Sequence, residues 1–289
     1  MVARRTPFNT MSKPAPELFR LDGRVAVITG GAGMLGMKHA EAIAEVGGIP
    51  ILLDVNEARI KGGVKKLLEK FGPEANGFVV DITDLGGVER VIDEIIRKRG
   101  HIDILINNAA MTVGSNVGNR NYFAPFEEYD VGLWEQALRV SLTGSFICTQ
   151  VIGKHMKERR SGVILNIASD VGVISPDHRI YRPDPTDDYS GVPFNTPLSY
   201  IVAKAGLINL TRYLATYWAE YNIRVNALSP GGVYNNHDER FVKRLTQLIP
   251  LGRMATPDEY KGAVVFLVSD ASAFLTGFNV VMDGGRSAW

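Results

Sequence analysis

One stretch near the front of the chain restricts its architecture more than any other. The apolar run Val25-Ala26-Val27-Ile28 leads into Thr29-Gly30-Gly31-Ala32-Gly33-Met34-Leu35-Gly36, and a helical pattern follows at once. A second apolar run, Ile49-Pro50-Ile51-Leu52-Leu53, closes on Asp54. Strand, glycine turn, helix and strand in that order make a βαβ unit, which requires parallel strands joined by a crossover. Glycines let the backbone bend tightly and approach a phosphate, while the first N–H groups and positive dipole end of the helix face the anion. Asp54 stands where a carboxylate can accept hydrogen bonds from a ribose. With 30 glycines in the chain, a glycine turn by itself has little weight, because many turns need the residue. The ordered set of strand, glycines, helix, strand and terminal Asp points to a bound dinucleotide.

The alternation continues to the end of the chain. Candidate strands fall at 25–29, 49–53, 77–81, 103–107, 162–168, 223–228 and 278–282, each separated from the next by enough residues for a crossover helix. The expected fold is therefore α/β: a single Rossmann-type, doubly wound, seven-stranded parallel sheet with helices on both faces. Its ligand crevice belongs at the carboxyl ends of the strands. Residues 1–20, with Arg4, Arg5, Pro7, Pro14 and Pro16 but no apolar signal-peptide core, read as a flexible arm. Residues 21–289 read as one catalytic domain, which 45% hydrophobic content is ample to build. One compositional break interrupts it: a polar insertion at about 171–197, in which Pro176, Pro183, Pro185, Pro193 and Pro197 mix with Asp177, His178, Arg179, Arg182, Asp184, Asp187 and Asp188. A substrate lid and a solvated flap both fit this composition.

Charge and cysteine usage remove several classes of function. The 32 Lys and Arg nearly balance the 31 Asp and Glu, so no net field draws in nucleic acid or an anionic membrane. No apolar stretch approaches the ~18 residues of a membrane span. Cys148 is the single cysteine, which rules out an intrachain disulfide and thiolate clusters and suits a reducing, cytoplasmic compartment. Five scattered histidines offer no metal-ligand spacing.

Chemistry enters with Tyr200-Ile201-Val202-Ala203-Lys204 at the start of a helix running to about Tyr221. An i, i+4 spacing puts both side chains on one face, and a cation within about 4–6 Å lowers a phenol pKa by roughly 1–3 units. That brings Tyr200 towards general acid–base duty at neutral pH. Three strand ends supply short polar side chains on the same sheet edge: Asp81-Ile82, Asn107-Asn108-Ala109-Ala110 and Asn166-Ile167-Ala168-Ser169. Asn and Asp also favour strand ends for their own turn chemistry.

The glycine turn, these strand ends, Tyr200 with Lys204, Ser229-Pro230-Gly231-Gly232-Val233, Leu275-Thr276-Gly277 and Asp283-Gly284-Gly285 together resemble the short-chain dehydrogenase/reductase family over residues 21 to 285. The resemblance implies a catalytic set in which Tyr200 exchanges a proton with a substrate oxygen. Lys204 then holds the nicotinamide ribose and lowers the phenol pKa, and Ser169 steadies the substrate oxygen. It implies a cofactor cradle of Gly30, Gly33, Met34, Leu35 and Gly36, with Asp54, Asp81, Ile82, Asn108, Ala109 and Ala110 on the adenosine side. Tyr200, Lys204, Pro230, Gly231 and Val233 fall on the nicotinamide side. Asp54 would repel a 2′-phosphate, which favours NAD over NADP. It also implies a homo-oligomer, dimer or tetramer, built on the helices at about 128–157 and 198–220, and a small polar substrate.

Two departures stand out. Ser141 occupies the place of a family asparagine that helps hold a proton-relay water. Met34 occupies the place of a glycine, so the spacing Gly30, Gly33, Gly36 resembles longer relatives that act as epimerases and dehydratases on nucleotide sugars. A nucleotide-sugar epimerase with tightly held NAD, and a catalytically silent nucleotide-binding scaffold, therefore remain alternatives. The polar insertion suits a hydroxyl-rich substrate, and the whole pattern resembles oxidoreductases linked to bacterial surface sugars, including sialic-acid-like ones.

Overall fold

The computed structural model describes residues 13–72, 74–112, 120–181 and 196–289. Seven strands, β1 (Val25–Thr29), β2 (Ile49–Asp54), β3 (Asn76–Val79), β4 (Ile104–Asn107), β5 (Gly162–Ile167), β6 (Ile223–Pro230) and β7 (Asn279–Met282), form one sheet in the order β3-β2-β1-β4-β5-β6-β7. Every pairing is parallel. The doubly wound seven-stranded sheet expected from the apolar runs is the fold observed, and each run contributes one strand. The strand order reverses between β1 and β4, so the crevice of an open α/β sheet opens beyond their carboxyl ends.

Parity along the strands separates two apolar layers. Val25, Val27, Ile51, Leu53, Leu105, Ile164 and Val225 face one side. There they meet Val88, Ile92 and Ile95 of α4 (Leu85–Arg99), Cys148, Ile152 and Met156 of α6 (Gly144–Arg159), and Leu214 of α7 (Leu198–Tyr217). Ala26, Ile28, Leu52, Ile104, Ile106, Leu165 and Leu228 face the other. They pack on Ala40 and Ile43 of α2 (Met34–Glu45), Leu67 of α3 (Glu57–Phe71), and Val264 and Leu267 of α9 (Lys261–Val268). Strands covered on both faces read as continuous apolar runs rather than alternating ones, which is why they were visible without helix or turn information.

Local chemistry shifted three boundaries. β3 ends at Val79 rather than 81, leaving Asp81 and Ile82 in the turn beyond it. The long helix before β5 is α5 (Val131–Leu138) joined to α6 through a π-helical turn, Arg139–Thr143, that contains Ser141. Such turns interrupt a helix's hydrogen-bond ladder and cluster at functional sites. The short helix α1 (Ala15–Leu18) precedes β1, and Lys13 Nζ lies 3.1 Å from Asp270. Of the proposed insertion, the part up to 181 and from 196 onward is described, and 182–195 lie outside the described residues. No helix among the described residues is long and apolar enough to cross a membrane.

Candidate active site

The glycine turn is shaped by two close approaches. Gly30 has φ +57°, and a Cβ there would stand 2.9 Å from the Ala109 Cα. A Cβ on Gly36 would run into the Gly30 carbonyl oxygen. Met34, by contrast, opens α2 with 41% of its surface exposed. It stands exposed in the first turn of α2, at the edge of the cradle. Gly33 caps α2 without a side chain to occupy the first-turn N–H groups, which leaves them for an anion. Leu35 belongs to the apolar layer beneath.

Three neighbours brace the turn. Thr29 Oγ1 accepts from the backbone N–H of Asn108 at 3.0 Å and of Ala109 at 3.1 Å. Asn108 Nδ2 donates to the carbonyls of Thr29 and Gly30, both at 3.0 Å. Asn108 thus ties β4 to the glycine turn, and Ala109 and Ala110 follow it half-buried. Asp54 Oδ2 accepts from Ala32 N–H at 3.3 Å and Oδ1 from Asn56 N–H at 3.1 Å. Asp81 is exposed and accepts from Thr83 N–H, whereas Ile82 is buried with its side chain against Gly144. An uncapped helix start, two glycines that no other residue can replace and a carboxylate one strand away form a cradle that fits a dinucleotide.

The proton-transfer candidates gather where β5 meets α7. Lys204 is 2% exposed, and its Nζ donates to the Ile167 carbonyl at 2.6 Å, two residues before Ser169. The ammonium lies 5.6 Å from the centre of the Tyr200 ring. Burial pulls the lysine down to about 8. Gly172, in the 3-10 turn after Ser169, sits so close to α7 that a Cβ would be 2.9 Å from the Lys204 carbonyl carbon. The strand end carrying Ser169 is therefore clamped against the helix turn carrying Lys204. Ser141 is fully buried, and its Oγ accepts from Met111 N–H at 3.0 Å. That acceptor role ties the π turn to the loop after β4.

Beyond β6, Pro230 leads into Gly231, whose N–H donates to Met282 O at 2.8 Å and whose Cβ would stand 2.6 Å from the Asp283 Cα. Val233 forms a bridge with Ala255. His237 packs its ring between Tyr234 and Phe241, and burial lowers its pKa. Cys148 is buried in the core, with its thiol pushed up to about 12.

Several site residues escaped sequence reasoning. Asn107 Nδ2 donates to Thr149 and to Asn166 Oδ1, and Asn166 donates to Thr211, each at 2.9 Å. This buried relay stitches β4, β5, α6 and α7 together. Tyr129 and Ser199, the residue before Tyr200, share a 2.8 Å hydroxyl contact, and burial raises the pKa of Tyr129. Ser169 Oγ donates to Asp170 Oδ1 at 3.0 Å, and Asp170 Oδ2 accepts from Arg286 at 2.8 Å. His39 of α2 is fully buried, with neither ring nitrogen hydrogen-bonded among the described residues. Burial brings it down to about 4, against a small opposing effect of the Asn108 amide. Only pairwise spacing across the folded sheet could have revealed these contacts.

Fold and crevice define a Rossmann-type nucleotide-binding α/β protein. Residues 24–181 match the short chain dehydrogenase family, and residues 189–287 match a family described as enoyl-(acyl carrier protein) reductase. The chain belongs to the short-chain dehydrogenase/reductase family, whose members are nicotinamide-dependent oxidoreductases. It is 32% identical over 275 residues to a D-threitol dehydrogenase of Mycolicibacterium smegmatis, covering 92% of this chain and 94% of that protein. It is also 32% identical over 273 residues to an NAD-dependent glycerol dehydrogenase of Listeria innocua, covering 92% and 95%. Among solved structures, a gluconate 5-dehydrogenase from Burkholderia cenocepacia, in complex with NADP and tartrate, superimposes with a TM-score of 0.81. The two are 30% identical, over 96% of this chain and 100% of that one.

Proposed function

We propose that the protein is an NAD(H)-dependent oxidoreductase interconverting a secondary alcohol and a ketone on a small polar, sugar-like substrate. The observation that carries this reading is the buried Lys204 ammonium, fixed on the Ile167 carbonyl and set over the Tyr200 ring. A cation in that position favours the phenolate, so Tyr200 can take a proton from a substrate hydroxyl or return one to a carbonyl. Ser169, on the strand end clamped to the same helix, steadies the substrate oxygen. Ser141 assists by holding a water of the proton path. The nicotinamide, when bound, accepts or supplies the hydride.

Gly30, Gly33, Met34, Leu35 and Gly36 would hold the pyrophosphate, with Asp54 on the adenosine ribose. Asp81, Ile82, Asn108, Ala109 and Ala110 would line the adenosine side, and Pro230, Gly231 and Val233 the nicotinamide side. NAD is preferred because Asp54 repels a 2′-phosphate. The polyhydroxylated substrates named for the threitol, glycerol and gluconate relatives support a hydroxyl-rich substrate, and sialic-acid-like surface sugars belong in the same class. The reading includes an arm at 1–20 before a single catalytic domain at 21–289, a cytoplasmic location, and a homo-oligomer. Exposed Phe146 of α6 and Tyr213 and Tyr217 of α7 suit a subunit contact.

A spectrophotometric screen of NAD reduction and NADH oxidation across polyols, sugars, sugar phosphates, nucleotide sugars and small ketones tests it. Tyr200→Phe should lower turnover by at least ~100-fold while NADH still binds. A fully active variant refutes the mechanism.

A further inference from the structure

The phenol assigned to proton transfer stands in the least secured turn of its helix. Tyr200 is the third residue of α7, whose N-cap is Pro197 and whose first turn has no side-chain cap. The first N–H groups of a helix have no intrahelical partners. Here the Tyr200 and Ile201 N–H groups share the Pro197 carbonyl at 3.1 and 3.4 Å, and the neighbouring Thr196 hydroxyl finds no partner among the described residues. Lys204 lies one turn further on, fixed by the Ile167 carbonyl and by the close approach of Gly172. The separation of phenol and ammonium therefore depends on what holds the first turn.

Ser199 supplies such a hold. It is fully buried, and its Oγ shares a 2.8 Å hydrogen bond with the hydroxyl of Tyr129, 70 residues earlier in the chain. Tyr129 comes from a stiff segment. The 3-10 turn Phe126–Glu128 precedes it, and its N–H donates to the Phe126 carbonyl at 3.3 Å. The next residue, Asp130, caps α5 by accepting from Leu133 N–H at 2.8 Å, and α5 packs along α7. The constraint thus runs from Tyr129 to Ser199 and not the other way. Burial raises the pKa of Tyr129 and also that of Tyr122, whose hydroxyl donates to the Met111 carbonyl at 3.2 Å within electrostatic reach of Tyr200. Both neighbouring phenols stay neutral where Tyr200 works, so Tyr129 acts through its place and not through a charge.

We propose that Tyr129 is a positioning residue for the reaction: through Ser199 it holds the first turn of α7, and with it the Tyr200 phenol, at a fixed distance from the Lys204 ammonium. This rests on the proposed role of Tyr200 as the proton-transfer group. Placement of this kind matters because a displacement of about 1 Å can cost roughly 100-fold in rate.

The test reads the Tyr200 phenol itself and needs no substrate. Tyrosinate absorbance of the full-length protein is followed against pH, and the curve of the matching Tyr200→Phe protein is subtracted in each background, which leaves the titration of Tyr200. The backgrounds are wild type, Tyr129→Phe, which removes the hydroxyl and keeps the ring, Ser199→Ala, and the two together. NADH binding by fluorescence reports that each variant is folded. Each single substitution should raise the Tyr200 pKa by about 0.5 unit or more, because the cation that lowers it stands farther off. The double variant should match the single ones, since both remove one bond. An unmoved Tyr200 titration would overturn the proposal, and so would shifts that add in the double variant. A wild-type Tyr200 that titrates near an ordinary value of about 10 would instead refute the proton-transfer reading on which the proposal stands. If Tyr129→Phe fails to fold, Ser199→Ala removes the same bond from the other side, and a moved or unmoved Tyr200 titration decides.

Discussion

Lys204 is both the most constrained charge in the protein and a burden on its stability, and the two properties can be separated by pH. Its ordinary pKa of 10.5 falls to about 8 through burial. At about 1.36 kcal/mol per pH unit, holding the ammonium in the folded state costs about 3 kcal/mol whenever the lysine is charged in both states. The sign follows from proton counting. Below pH ~8 folded and unfolded chains are both protonated and the cost is full; between ~8 and ~10.5 the unfolded chain binds the extra proton, so stability rises with pH. Lys204→Met fills the same volume without the charge, but leaves the Ile167 carbonyl without its 2.6 Å partner, a loss of about 1–3 kcal/mol. At pH 7 the two effects nearly cancel, so the absolute difference between variant and wild type is a poor measure. The pH dependence is a good one. From pH 7 to pH 10 the wild type should gain about 2–3 kcal/mol relative to Lys204→Met. Other titrating groups are common to both proteins and cancel in the difference. Urea denaturation at the two pH values, with equal slopes m, reads this directly. Parallel stabilities at pH 7 and pH 10 would refute the buried-cation reading. The same variant should lose at least ~100-fold in turnover, since the phenol then has no neighbouring cation.

Asp54→Ala should narrow the preference for NAD over NADP in kcat/KM by about tenfold, a change of ~1.4 kcal/mol, and a wild type that prefers NADP from the start refutes the assignment. His39→Leu should remove an acid-labile step. Burial holds His39 near 4 against an ordinary 6.5, so the wild type loses stability as pH falls through that window by up to about 3 kcal/mol. The variant should resist unfolding better at pH 4.5 than at pH 7 relative to wild type, and equal differences at the two pH values would rule this out.

Continuous apolar runs such as Val25–Ile28 and Ile104–Ile106 made the sheet legible, because burial on both faces leaves no polar alternation to obscure them. The glycine turn and the Tyr200–Lys204 pair were legible for a similar reason: each is local, and its spacing alone fixes its geometry. What could not be read is the set of contacts made across the sheet. Asn166 offered turn chemistry or ligand contact at a strand end, yet it lies inside the sheet paired with Asn107 and ties β5 to α7 through Thr211. Asn108, expected on the adenosine side, also braces the glycine turn, its Nδ2 donating to the Thr29 and Gly30 carbonyls. The end of β3 was misplaced by two residues because Val80 carries the apolar run past the last paired residue, Val79.

Met34 and Ser141 mark the two places where the chain departs from its family's pattern, and the structure gives them unequal meaning. The spacing of Gly30, Gly33 and Gly36 looked like a signal for a different chemistry. In three dimensions Gly30 and Gly36 are required by close backbone approach, while Met34 is exposed at the first turn of α2. Ser141 is different, because it stands in a π turn, is fully buried and is tied to Met111 N–H. Of the two departures, Ser141 is therefore the one whose hydroxyl oxygen is already committed, as the acceptor of the Met111 N–H.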